Sequence, residues 1–413
     1  VSEPESTEAA ARKSFIDGKR DLRLDFLRGY ALVAMTLTHL GLASPLIAIT
    51  GGSRFLINAA EVFFFISGYT MGYVAVDRPL RQQVLRRLGR TWLIYKYLLF
   101  FSFFLSLVLG QPELTRLNQG EAFGFLVGIV YLKEAVWGMD ILIAYVLYVG
   151  IAPLALWALH AERTKTLAAA IFGIYITALV APWTAHLEFA AFRNLAVNVP
   201  VFFVPLILGF KHKETTAWWK SQPGRKAAEA AALLAGSLLL VAFVLWGEQE
   251  WWKENFGNFA IREMLMPPQN LLLVFLYLGV LWLIVSRLWG FCVRILGWLT
   301  IPLGQDSLFV YGMHVVWIEF FRLLLDPVLP WYELAPFQLL GEAIVVGLLF
   351  GSVWLRRGLT VVFDRLEIGA WTRRHLLNTL VWSSLILLGV RILLTSEPGG
   401  WWWSDPDFLE EFF

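Results

Sequence analysis

Long apolar runs recur along the chain between short polar loops. They predict helices able to cross a bilayer, for which about 20 residues is the yardstick. Spans are expected at about 25–44, 55–75, 92–109, 141–159, 167–183, 196–210, 227–246, 269–285, 307–325, 336–354 and 376–394. The apolar stretch from Ile295 to Leu325 is too long for one straight span. Pro302 and Gly304 are expected to break it, leaving Ser307 to Leu325 as the crossing part. The fold class is therefore all-α, a polytopic membrane protein of about eleven transmembrane helices.

Lysine and arginine bias sets the expected orientation. Basic clusters lie at Arg12 to Arg23, Arg78 to Arg90, Arg163 with Lys165, Lys211 to Lys226, Arg287 with Arg294, and Arg356 to Arg374. If the weak run Glu121 to Leu132 crossed fully, every later cluster would fall outside. Read as re-entrant or interfacial, it leaves all six clusters inside. That reading gives a cytosolic polar tail at 1–20, a single membrane domain at 21–395 and an acidic tail at 396–413 outside. No loop is long enough for a soluble domain, and no internal repeat is evident.

Composition narrows the class. Of 413 residues, 58% are hydrophobic and only 16% are charged, against about 25% charged in a soluble domain. The net charge of +2 gives no reason to expect a nucleic-acid partner; the lipid bilayer is the partner that composition demands. The single cysteine, Cys292, excludes an internal disulfide and a multi-cysteine metal site, and no metal is expected. The first 25 residues contain no apolar core, so no cleavable signal peptide is expected. The first membrane helix would serve as the targeting signal.

Against this background the ionisable residues of the first two spans stand out: Asp25, Arg28, His39 and Glu61. A charged side chain within hydrocarbon is costly and marks a candidate site by default. Arg28 and His39 are eleven residues apart, which at about 100° per residue brings them back to within about 20° of one helix face. They are separated along the axis by about 16 Å. Asp25 stands one turn before Arg28 and can pair with it. The expected topology puts His39 and Glu61 at similar depth, where a carboxylate would fix the imidazole tautomer and strengthen its free nitrogen as a base. A second histidine, His314, shares a helical face with Ser307 and Tyr311 at i, i+4 and i+7.

Each feature also has a plainer reading. His39 and His314 can be core histidines bonded to neighbours, and Glu61 a protonated acid bonded across helices. Asp25 and Arg28 can be an interfacial ion pair with a snorkelling arginine. The arginines from Arg78 to Arg90 are mostly topology determinants. His160, His212 and His375 lie near loop ends, His186 is expected outside, and Trp401 to Trp403 read as an interfacial belt. Glu342 and Arg391 fall inside late spans with no account from sequence.

Four motifs together resemble a known family. Arg28, ten intervening residues and His39 look like the signature of the membrane-bound acyltransferase-3 superfamily. Arg20-Asp21, Arg23, Asp25 and Arg28-Gly29 resemble the opening pattern of its OpgC branch, which modifies osmoregulated periplasmic glucans. Ala60-Glu61-Val62 through Ser67-Gly68-Tyr69 resembles the second-helix motif. Arg86, Arg87 and Arg90 resemble the basic stretch before the third helix. Leu303-Gly304, Ser307-Leu308, Tyr311 and His314 resemble the late glycine-serine-histidine motif. The match is strong from Arg20 to Tyr97 and good again from Ile301 to Trp317. It departs at Thr38 and in the loop after His39.

The resemblance implies an enzyme of the cytoplasmic (inner) membrane that moves an acyl group from cytosolic acyl-CoA, succinyl-CoA or acetyl-CoA, to a hydroxyl of a periplasmic glucan or other envelope glycan. It implies catalytic roles for His39, Glu61 and His314: His39 as general base or acyl carrier, Glu61 orienting it, and His314 lining the thioester channel or holding the oxyanion. Asp25, Arg28, Arg86, Arg87, Arg90, Ser67, Ser307 and Tyr311 would contact the acyl-CoA. Arg54, Arg193 and Arg322 are candidate cations for a dicarboxylic acyl group. The rival readings are a transporter or flippase, whose midplane sites also use broken helices, and a membrane scaffold or sensor without chemistry. Within the enzyme class the rival acceptors are O-antigen and peptidoglycan.

Overall fold

Helix α1 (Leu22–Leu40) begins where Asp21 caps it: the carboxylate accepts the backbone N–H of Arg23 at 3.0 Å, satisfying a donor that has no partner within the helix. Just before it, strands β1 (Ile16–Asp17) and β2 (Arg20–Asp21) form a short antiparallel ribbon with Asp17 opposite Arg20. The computed structural model describes residues 16–17, 20–40, 46, 59–109, 119–134, 136, 138–180, 195–246, 268–325, 335–365 and 370–395. Residues 1–15, Arg54, His186, Arg193, Trp401 to Trp403 and the tail 396–413, singled out above, lie outside the described residues. Beyond the ribbon, the regular structure among the described residues is helical, as the apolar pattern requires.

The helices in order are α1, α2 (Ala59–Ala75), α3 (Leu80–Leu109), α4 (Gln119–Val130), α5 (Asp140–His160), α6 (Thr164–Val180) and α7 (Leu195–Phe210). There follow α8 (His212–Ser221), α9 (Arg225–Trp246), α10 (Pro268–Arg287), α11 (Trp289–Cys292), a π-helical turn (Val293–Gly297) and α12 (Trp298–Gln305). The last are α13 (Ser307–Leu325), α14 (Ala335–Arg365) and α15 (Ala370–Thr395). Among the described residues, four helices are long and apolar enough to cross a membrane, or up to six if each of two bent pairs is one span. The eleven spans expected from hydropathy are not reached among the described residues. Helix α2 falls short at 17 residues, and α1, at 19 residues, carries three charges. The 12-residue α4 is about 18 Å long and cannot cross a core of about 30 Å.

The structure corrects one boundary. Pro302 and Gly304 do not break the helix; both lie within α12. The break comes at Asp306, whose carbonyl accepts the N–H groups of Phe309 and Val310 at 2.9 and 3.0 Å and so starts α13. Pro302 lacks the N–H that would bond one turn back, yet the α-helix continues through it to Gln305. Gly304 is there for packing. A Cβ on Gly304 would fall on the carbonyl of Asp25, and one on Gly29 on the carbonyl of Thr300. The backbones of α1 and α12 thus touch, in opposite senses, through two glycines, the small-residue contact that apolar membrane helices favour.

The chain divides into two compact units: residues 1–76, 201–311 and 328–353, and residues 77–200, 312–327 and 354–413. In the first, α2 and α7 repeat the glycine contact. Gly68 meets the backbone of Phe202, Gly72 that of Leu206, and Gly209 that of Tyr69. In the second, α3 packs against α5 and α15, with Lys96 donating to the Asn378 side chain at 3.1 Å. Arg391, unexplained in the sequence, donates its guanidinium to the carbonyls of Ser106, at 3.2 Å, and Leu107. It caps the C-terminus of α3, where a cation complements the helix dipole. Leu132, in left-handed backbone at φ 64°, turns the chain out of α4.

Candidate functional site

Asp25 is 2% exposed and shared between two guanidinium groups. Arg20 engages both carboxylate oxygens, one at 2.8 Å, and Arg28 approaches at 3.6 Å. Arg28 also donates to Thr70 Oγ1 of α2 at 2.7 Å. Arg23 makes a parallel arrangement: it pairs with Asp21 at 2.6 Å, donates to Ser286 Oγ at 2.9 Å and lies over the Trp282 ring at 4.3 Å. Three guanidinium groups and two carboxylates therefore line one end of α1. The i, i+3 spacing predicts the pair of Asp25 and Arg28, and nothing in the sequence points to Arg20, Thr70, Ser286 or Trp282. Arg20 lies on β2, so helical spacing gives no hint of its reach.

Contacts with α10 fix the sense of α1 and α2. Arg23 meets Trp282 and Ser286, and the hydroxyls of Tyr30 and Tyr277 share a hydrogen bond. Thus α1 runs against α10. Phe65 meets Phe275 and Tyr69 meets Trp282, so α2 runs with α10. Helices α1 and α2 are therefore opposed. His39 lies in the last turn of α1 and Glu61 in the first turn of α2. Both stand at the end away from the arginine cluster, with Glu61 7% exposed and His39 half-buried. Two residues beyond Glu61, the Phe63 ring lies 6.5 Å from that of Tyr311 on α13. Ser67 and Ser307 are half-buried. The first unit thus gathers Asp25, Arg28, His39, Glu61, Ser67, Ser307 and Tyr311.

The pattern that defines the OpgC protein family matches residues 20–360. The chain belongs to the OpgC family. No curated protein and no solved structure matches it. Membership of the OpgC family implies a role in the modification of osmoregulated periplasmic glucans, and the apolar helices make this OpgC protein a membrane protein.

The remaining motif residues belong to the second unit. Arg86, Arg87 and Arg90 lie on the first turns of α3, which starts twelve residues before the span expected at Trp92. Arg90 has Tyr97, Tyr145 and Arg356 around it, and Arg87 has Arg86 and Arg90. Among the described residues, neither Arg86 nor Arg90 has an ion-pair partner. His314 stands one turn beyond Tyr311 on α13 and is fully buried. Arg322 pairs with Glu319 at 2.9 Å, so its charge is already matched. Glu342 is fully buried.

Proposed function

We propose that this OpgC protein is an O-acyltransferase that carries an acyl group, succinyl or acetyl, from acyl-CoA to a hydroxyl of a periplasmic glucan, within the acyltransferase-3 superfamily. The observation that carries the reading is the placement of an imidazole and a buried carboxylate at one end of two opposed helices. An arginine lies about 16 Å back along the same face. His39 acts as general base on the acceptor hydroxyl, and Glu61 holds its tautomer. The hydroxyl oxygen attacks the thioester carbonyl, His39 takes the proton, and the CoA thiolate leaves. Tyr311 offers a donor for the developing oxyanion, and Ser67 and Ser307 line the approach.

The phosphates of the acyl-CoA are assigned to Arg86, Arg87 and Arg90. Their clustered charges, two of them without a carboxylate partner among the described residues, favour an anion that guanidinium binds bidentately. Arg28 contributes at its own end of α1, held in position by Asp25 and Thr70. Of the same family role, O-antigen or peptidoglycan acylation would use the same residues with another acceptor. Transport is the rival from another class, and the 84° bend between residues 271–287 and 289–305 is the feature that favours it.

The test is turnover. His39→Ala is expected to lower succinyl or acetyl transfer by about 10²–10⁴ while the protein stays folded in detergent. Normal transfer by that variant removes the mechanism. In parallel, a cognate acyl-CoA at a hundred times its dissociation constant should stabilise the parent by about 2.7 kcal/mol. Arg86→Ala with Arg90→Ala should lose that shift. Stabilisation by glucan alone, with no turnover of any acyl-CoA, would favour transport.

A further inference from the structure

Helix α8 carries no buried side chain and turns 77° from α7. Helix α7 reads LAVNVPVFFVPLILGF, the most lipid-like segment of the first unit, so its axis belongs near the bilayer normal. The turn then lays α8 close to the membrane plane. Its sequence, HKETTAWWKS, combines two tryptophans with lysines. Trp218 is 62% exposed. Its neighbour Trp219 is fastened: its indole N–H donates to Glu229 of α9 at 3.0 Å. Glu229 is buried and also pairs with Arg287 of α10 and, at 3.5 Å, with Arg225. One carboxylate therefore ties α8, α9 and α10 together and fixes which way α8 faces.

Both acids of this segment are engaged, Glu214 with Lys211 at 3.0 Å and Glu229 as described. Lys213, Lys220 and Lys226 are exposed along the segment, which carries five basic residues against one acid over 211–226. An exposed indole about two turns beyond the bend that leaves an apolar helix, on a segment whose exposed lysines lie along its other sides, matches the headgroup layer: tryptophan favours that depth, and basic residues there attract anionic lipid. We propose that α8 is an interfacial anchor that binds the anionic phospholipid headgroups of the leaflet facing it. The claim is independent of the acyl-transfer reading.

The protein is reconstituted in nanodiscs of phosphatidylcholine alone or with a third of phosphatidylglycerol. Thermal stability should rise with phosphatidylglycerol, and the rise should shrink in high salt and in the Lys213→Gln, Lys220→Gln, Lys226→Gln variant. Soluble glycerol phosphate should give no rise. Separately, Cys292→Ser with Trp218→Cys carries one nitroxide. Its collisions with oxygen should exceed those with a water-soluble nickel chelate. A label that behaves as in water, stability indifferent to phosphatidylglycerol, or the same rise with glycerol phosphate would each overturn the proposal.

Discussion

At the residue scale the decisive feature is Asp25, one buried carboxylate serving Arg20 and Arg28. Removing its charge leaves two guanidinium groups facing each other. Asp25→Asn is expected to destabilise the protein by about 2 kcal/mol, below the usual cost of breaking a buried pair because Arg20 is half exposed. A detergent thermal melt checks this, and an unchanged midpoint would show that Arg28 is held by other groups. Thr70→Val should cost only about 1 kcal/mol in the same melt, yet lower acyl-CoA turnover if Arg28 must be aimed. Periodicity made Asp25, Arg28 and their pairing legible, since both residues lie on one helix. Arg20 and Thr70 were not legible: one approaches from a strand and the other across a helix interface, and no spacing rule relates them to their partners.

At the element scale, glycines decide which helices touch. Gly29→Ala and Gly304→Ala each place a methyl group on facing backbone, which cannot rotate aside as a side chain would. Each should cost about 3 kcal/mol, the upper end of the usual overpacking range, and be read as lost folded yield in detergent. Tolerance of both would mean that α1 and α12 can part. Arg391→Leu should cost about 1–2 kcal/mol through the uncapped end of α3, measured in the same way. Gly304 and Pro302 look like a break in the sequence because both disfavour helices locally. Packing on α1 overrides that preference for Gly304. Arg391 was opaque because its partners are backbone carbonyls, which leave no trace in residue identity.

At the scale of the whole molecule, the helical membrane class was legible from hydropathy, whereas the number of crossings was not. Short or charged helices such as α1 and α2 depend on their neighbours for burial, which a hydropathy window does not weigh. The expected cytosolic placement of the basic loops is open to a direct test. In a Cys292→Ser background, cysteines at Glu162 and at Lys213 should both react with an impermeant maleimide only from the cytosolic side. Labelling from opposite sides would mean that one of the segments between them does not cross as expected. The glycine contact between α1 and α12 has a last consequence at this scale. With backbone pressed on backbone at residues 25–29, the start of the interval from Arg28 to His39 is fixed, and helical pitch graduates the rest. One alanine inserted between them would lengthen it by only about 1.5 Å yet swing the imidazole by about 100°. Under the proposed acyl transfer a donor would be measured by the reach of its arm, and the direction in which that arm must end would be written into the count of residues.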